Sequence, residues 1–281
     1  MSGVGGRSDA STVDGRAPDS GTPGRLLGTG TPARPAPWPR MAMALASNEL
    51  RLAARRGESL LITFVIPAGV LLLFSAFDVG GSASAGTPVD RMLPGAMALA
   101  VIAAAMVSLA IATGFERAYG VIKRLGGSPA GTSVLVASKT VAVIAVEAIQ
   151  VALLLAIAAG VLGWTAGPTA SAPLVLAGLL LGTVAFAGIG LLMAGTLRAE
   201  ATLALANLLF LVSLVVGGIV VPLDRLPGAI ASVAADLPPA TLTTVLAIGL
   251  GAPGDPTEPL ALLAGWAVLF AALAARFFRW D

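Results

Sequence analysis

The 281-residue sequence contains no cysteine and no histidine, and its only lysines are Lys123 and Lys139. Without cysteine, the chain can form neither a disulfide framework nor a thiolate metal site. Without histidine, it lacks the commonest acid–base catalyst and the commonest zinc ligand. We therefore predict a protein with no metal site and no cofactor of its own.

Charged side chains are also scarce. Only 11% of the residues are charged, whereas 57% are hydrophobic, and the formal net charge is +2. A water-soluble fold could not bury so much apolar surface, so the composition predicts an all-α membrane protein with several spans. The sequence shows no module that combines basic and aromatic side chains, so we expect no nucleic-acid partner.

The phosphate-binding motif GxxxxGK[ST] is absent. Lys139 is followed by Thr140, but serines occupy positions 133 and 138, where the motif needs glycine so that backbone N–H groups can approach the phosphates. No cluster of aspartates typical of membrane-embedded transferases is present either. The sequence thus predicts no catalytic residues and no ATP hydrolysis by this chain.

Six apolar segments predict six transmembrane helices, because each is long enough to cross a hydrocarbon core of about 30 Å at about 1.5 Å per residue. They cover residues 60–77, 93–113, 140–162, 174–195, 201–221 and 260–278. All basic residues except Arg91 and Arg225 fall before the first span, in the loops after spans two and four, or at the end of the last span. The positive-inside rule then places both termini in the cytoplasm of a multi-pass cell-membrane protein.

The chain divides into a tail, residues 1–37, and a transmembrane domain, residues 38–281. The tail is rich in Gly, Pro, Ser and Thr and has too few apolar residues to offset the entropy of ordering, so we predict a disordered cytosolic segment. Over residues 38–57, apolar and arginine side chains separate onto different helix faces. This pattern predicts an amphipathic helix on the cytosolic leaflet; a simple cytosolic extension of the first span is the alternative.

A charged segment, residues 115–139, lies between spans two and three, and we call it the island. Four of its apolar residues recur at helical spacing opposite charged residues, and glycines and Pro129 follow. The four are Phe115, Tyr119, Ile122 and Leu125. The island is either a solvated loop or a short helix on which a cytosolic partner acts.

Three polar residues of span three, Lys139, Glu147 and Gln150, fall within an arc of about 80° at helical spacing. A carboxylate at the depth of Glu147 costs about 2.5 to 3.5 kcal/mol to insert, so it should face protein or a wet cavity. Glu147 is either a proton relay or cation contact in a transport pathway, or one end of a hydrogen bond between helices.

Residues 222–259 form the longest predicted segment on the outer side. They are too apolar for an ordinary loop, yet Pro227, Pro238 and Pro239 interrupt them. Irregular backbone at membrane depth is tolerated where protein covers it, so the pattern favours two short re-entrant helices. A seventh span is the competing interpretation.

Two signatures resemble the permease subunits of type-2 ATP-binding-cassette (ABC) exporters, especially the daunorubicin-exporter-like branch. The first is a Glu–basic pair, a glycine, a basic residue with leucine, a proline, and a lysine that opens span three; it matches Glu116, Arg117, Gly120, Lys123 or Arg124, Leu125, Pro129 and Lys139. The second is an outer pattern of one proline and two Leu-Pro pairs; it matches Pro222, Leu226, Pro227, Leu237 and Pro238.

This resemblance implies that the chain exports a hydrophobic or amphiphilic substrate, such as a drug, an antibiotic or a lipid-like molecule. A separate ATP-binding subunit would bind the ATP and hold a coupling helix, residues 115–125, in a surface cleft. Two permease copies, or one copy and a paralogue, would enclose the pathway, with a homodimer as the expected form. The alternative from the residues alone is a secondary transporter that uses Glu147 and an ion gradient.

Overall fold

The computed structural model describes residues 37–55, 57–77, 86–121, 131–219 and 223–278. Apart from Pro37, the predicted disordered tail lies outside these residues. All regular structure in the described ranges is helical. The α-helices are α1 (Trp38–Arg55), α2 (Gly57–Ala76), α3 (Pro88–Val101), α4 (Leu109–Ala118), α5 (Gly131–Gly160), α6 (Ala172–Thr196), α7 (Ala199–Val216), α8 (Gly228–Ala235), α9 (Pro238–Gly249) and α10 (Thr257–Phe277).

Five helical stretches among the described residues are long and apolar enough to cross a membrane. They are Pro88–Ala118, Ala137–Gly160, Ala172–Thr196, Ala199–Val216 and Thr257–Phe277. They correspond to predicted spans two to six. The first predicted span corresponds to α2, whose apolar portion Phe64–Ala76 is shorter.

The predicted boundaries differ most at span five. We predicted that this span reaches residue 221, but α7 ends at Val216. Gly217 caps the helix, and Gly218 adopts a φ of +66°, a conformation that ends a right-handed helix. Ile219 then turns inward and is buried against Gly95.

Span two forms the centre of the core. A capping box at its start joins the Thr87 and Asp90 side chains to each other's backbone N–H groups, and Pro88 occupies the first turn. Most of α3 is buried, and the seven residues Ile102–Ser108 that follow are a π-helix before α4 resumes α-helical geometry. The π-helix lies in the middle of the span, where such segments often accompany functional sites.

Helix α6 packs against three neighbours, and glycines permit each close approach. A Cβ at Gly188 would lie 2.7 Å from the backbone of Phe270 in α10, and one at Gly190 would lie 2.8 Å from the carbonyl oxygen of Met106 in the π-helix. Gly178 and Gly182 face α9 in the same way. These glycines therefore serve contacts within the chain, whereas the sequence alone suggested a seam between two copies.

The outer segment contains two short helices, α8 and α9, bent by 71° at the break between them. Pro238 and Pro239 occupy the first turn of α9, where a missing N–H costs nothing. Leu242 and Leu246 are fully buried, and α9 packs against α6 and α3. The geometry fits a broken span as well as a re-entrant loop, so the re-entrant arrangement stays a prediction.

The two remaining junctions are held by side chains. Helix α1 is a separate helix, as the amphipathic pattern predicts, and it packs mainly along α5. At the start of α10, the Thr257 hydroxyl and backbone N–H donate to Asp255, and these hydrogen bonds lower the pKa of this exposed carboxyl. The Trp266 indole N–H donates to the Asp236 carbonyl and ties α10 to the end of α8.

Candidate functional site

The island begins as a continuation of span two. Phe115, Glu116 and Arg117 belong to the last turns of α4, and the helix ends at Ala118. Gly120 adopts a φ of +70° and its N–H donates to the Arg117 carbonyl, a glycine stop of the usual left-handed kind. The single helix that the spacing predicted across residues 115–125 is therefore interrupted at Gly120.

Glu116 binds the first polar residue of span three. The Lys139 ammonium donates to Glu116 Oε1 at 2.8 Å and lies 2.7 Å from Oε2. The lysine side chain is 7% exposed and that of the glutamate 24%. Because both groups are largely removed from water, each depends on the other to remain charged at low cost.

Arg117 binds the turn between α6 and α7. Its guanidinium donates to the carbonyl oxygens of Gly195 and Leu197, the latter at 2.8 Å. These carbonyls lie at the C-terminal end of α6, where backbone acceptors lack helical partners and a cation is favourable. Neighbouring residues of one helix thus hold α5 on one side and the α6–α7 turn on the other.

Tyr119 is the most exposed large side chain at this end of span two, at 72% of its surface. Its ring stacks on Phe115 with centroids 6.1 Å apart. The sequence analysis noted Tyr119 only as one of four apolar positions and assigned it no site. Its status as the sole tyrosine of the chain was the one available signal.

Several predicted site residues lie outside the described part of the chain: Lys123, Arg124, Leu125, Pro129 and Pro222. The other outer-motif residues are described. Leu226 is half-buried after a short 3₁₀ turn, and Pro227 precedes α8. Leu237 caps α9, and Pro238 is buried.

Glu147 lies in the interior between α5 and α6, and it is 5% exposed. The Thr183 hydroxyl of α6 is 2.6 Å from Glu147 Oε2 and 2.7 Å from the carbonyl of Leu179, four residues earlier. Glu147 Oε1 has no hydrogen-bond partner among the described residues. Gln150, one turn further along α5, is 2% exposed. Glu147 thus faces protein, as expected, and its observed contact is a hydrogen bond between helices.

A cavity of about 400 Å³ opens between α4, α5, α6 and α10. Its polar lining comes from Thr113, Lys139, Thr140 and Thr183. Small and aliphatic side chains form the rest of the wall, mostly from α6 and α10. Because Lys139 and Thr183 both reach this cavity, it connects the surroundings of the ion pair with those of Glu147. The sequence predicted the arc of polar residues on span three but not the partners from α4 and α6.

The comparisons with known proteins agree with this arrangement of apolar helices. The family model described as "ABC-2 type transporter" matches residues 41–249, about three quarters of the chain. No curated protein matches the chain significantly. The matched region runs from α1 through α9 and includes the charged end of span two, the ion pair and the buried carboxylate. The chain therefore belongs to the ABC-2 type transporter family and is a multi-pass membrane permease component of an ABC transporter.

Proposed function

We propose that the chain is the permease subunit of an ABC exporter in the cell membrane, driven by ATP hydrolysis in a separate subunit. The observation that carries this proposal is the pair of attachments at the end of span two. Glu116 holds α5 through Lys139, and Arg117 holds the α6–α7 turn. A segment attached to three spans is suited to convert a push from a cytosolic partner into a rearrangement of those spans.

Within this proposal, the island residues divide into two groups. Tyr119 is exposed and is available for contact with the ATP-binding subunit, together with the predicted coupling residues that follow Gly120. Glu116 and Arg117 point inward to other helices and transmit movement. The original expectation gave all of these residues one docking role.

The cargo, the direction and the assembly extend this proposal. The spans are almost entirely apolar, so a hydrophobic or amphiphilic substrate such as a drug, an antibiotic or a lipid-like molecule fits better than a sugar or an ion. Two copies of the chain would enclose the pathway, with a paralogue as the alternative second subunit. The positive-inside distribution favours cytoplasmic termini.

The test is co-expression and co-purification with a candidate cassette ATPase, followed by measurement of ATP turnover in proteoliposomes. We expect Tyr119→Ala to reduce recovery of the complex, because it removes an exposed aromatic contact. We expect Glu116→Gln to leave complex formation intact but to reduce coupled ATP turnover, because it breaks the link to Lys139. The exposed aromatic Phe277, at the end of α10, provides the matched control Phe277→Ala.

Two results would count against the proposal. If wild-type protein binds no cassette ATPase and substrate flux follows an imposed proton gradient, the protein is a secondary transporter. In that case Glu147→Gln should abolish the gradient dependence. If Tyr119→Ala and Phe277→Ala behave alike in the pull-down, Tyr119 is no docking residue.

A further inference from the structure

We propose that the cavity between α4, α5, α6 and α10 binds an acyl chain of a membrane phospholipid, with the Thr113 hydroxyl donating a hydrogen bond to the lipid's ester carbonyl. The site lies within one copy of the chain. It does not depend on the proposed export function, because a lipid bound there can be structural or can be cargo.

The first step of the argument is an unused polar group. Thr113 lines the cavity and is 2% exposed, yet its hydroxyl has no hydrogen-bond partner among the described residues. A buried hydroxyl without a partner carries a desolvation cost that a ligand acceptor would remove. Thr183, the other buried threonine of the lining, already binds Glu147 and Leu179.

The second step is the chemistry of the wall. Apart from its few polar groups, the cavity is lined by Leu, Val, Ala, Gly and Phe side chains. Ordered water needs two to four polar partners, which most of this wall does not provide. Its volume falls at the lower end of the range of about 300–1,000 Å³ that is typical of ligand sites. A hydrocarbon chain satisfies such a wall.

The third step is access from the bilayer. Four lining residues, Thr140, Val184, Ala271 and Ala275, are exposed on the surface of their helices. Val184 and Ala271 lie within apolar spans, so their exposed surface faces acyl chains rather than water. A lipid tail can therefore enter sideways between α6 and α10 without crossing a polar layer.

The fourth step is depth. Thr113 is five residues before the end of α4, or about 7 Å along the helix axis. Lys139 and Thr140 belong to the same charged end of the bundle. An ester carbonyl lies at the boundary between headgroup and hydrocarbon, so a chain that enters at this end brings its carbonyl to the level of Thr113. Val184 lies further along α6, where the tail would end.

The experiment uses purified full-length protein and a phosphatidylcholine that carries a photoreactive diazirine in one acyl chain. After irradiation, labelled peptides are mapped by mass spectrometry. Wild-type protein should be labelled most strongly in the cavity segments of α4, α6 and α10, above the lipid-facing surface of α7 around Leu208 and Leu211. Ala271→Phe places a benzyl group at the mouth of the cavity and should remove this excess labelling.

Two matched variants complete the test. Ala272→Phe adds the same group at an exposed neighbour that does not line the cavity, and it should label like wild type. Thr113→Val keeps the shape but removes the hydroxyl, so retention of the lipid during detergent washing should fall by about fivefold. Circular dichroism and gel filtration confirm that each variant is folded.

Three outcomes would overturn the proposal. One is equal labelling of Ala271→Phe, Ala272→Phe and wild type; another is labelling no stronger in the cavity than on α7. The third uses the absence of native cysteine: if a single cysteine at position 271 forms a disulfide between two copies in the membrane, a second copy covers the mouth.

Discussion

The Lys139 ammonium lies within 2.8 Å of both carboxylate oxygens of Glu116, so one ion pair fixes the end of span two to the start of span three. Removing one partner of a largely buried pair leaves the other charge uncompensated, at a cost of about 3 kcal/mol or more. Removing both partners costs much less.

The first prediction follows from this asymmetry. Lys139→Met and Glu116→Gln should each lower the denaturation midpoint in detergent, whereas the double variant should recover part of the loss. A double-mutant cycle measures the interaction, which we expect to exceed 1 kcal/mol because the groups are in direct contact. Additive effects in the cycle would contradict the pairing.

The second prediction concerns Arg117, which donates to two carbonyls with separate guanidinium nitrogens. Arg117→Lys keeps the charge but lacks the planar fork, so it should destabilise the protein by about 1 to 2 kcal/mol. Arg276→Lys is the control, since Arg276 is exposed and its recorded contact is with the neighbouring Phe277 ring. Thermal unfolding of both variants distinguishes them; equal midpoints would show that the carbonyl contacts contribute nothing.

The third prediction concerns the contact between Thr183 and Glu147. Thr183→Val removes the hydroxyl beside a buried carboxyl and should cost about 1 to 3 kcal/mol, whereas Thr183→Ser should retain most of the stability. Thr196→Val is matched to it, because the Thr196 hydroxyl also binds a carbonyl four residues earlier in α6 but is exposed. Chemical denaturation of the three variants is the measurement. A loss from Thr196→Val as large as that from Thr183→Val would assign the effect to the backbone contact instead.

The fourth prediction tests the glycine contacts of α6. Gly188→Ala would place a methyl group 2.7 Å from the Phe270 backbone, which can yield only by moving α10. We expect a loss of about 1 to 3 kcal/mol from overpacking. Gly265→Ala, in α10 with nothing within 4 Å of the added carbon, should be neutral or slightly stabilising. Midpoints from thermal unfolding decide between these expectations, and a tolerant Gly188 would mean that α6 and α10 pack less closely.

The sequence predicts the helical class and most of the spans because apolar length alone decides whether a helix can cross a membrane. It also predicts that Glu147 must face protein, since hydrocarbon would not tolerate the carboxylate. The partners are a different matter. Arg117 and Leu197 are 80 positions apart, and no local pattern links a guanidinium to a carbonyl in another turn.

The π-helix and the roles of the glycines were equally inaccessible. A π-helix in Ile102–Ser108 has no signature of its own in a run of apolar residues, because its cause is packing against Gly190 and other neighbours rather than local preference. Small residues spaced by four indicate close packing but do not identify the partner helix. The glycines of α6 therefore suggested contact between copies, while the fold uses them inside one chain.

The turn that Arg117 binds has a mechanical consequence. Only Leu197 and Arg198 separate α6 from α7, and the hydrogen bond from the Leu197 N–H to Met193 tightens the end of α6 further. So short a link has no slack, and a displacement at Arg117 cannot be absorbed there. Helices α6 and α7 should therefore tilt together as one lever with its load arm at the far side of the bilayer, which turns a small movement at the charged end into a larger one at the opposite end.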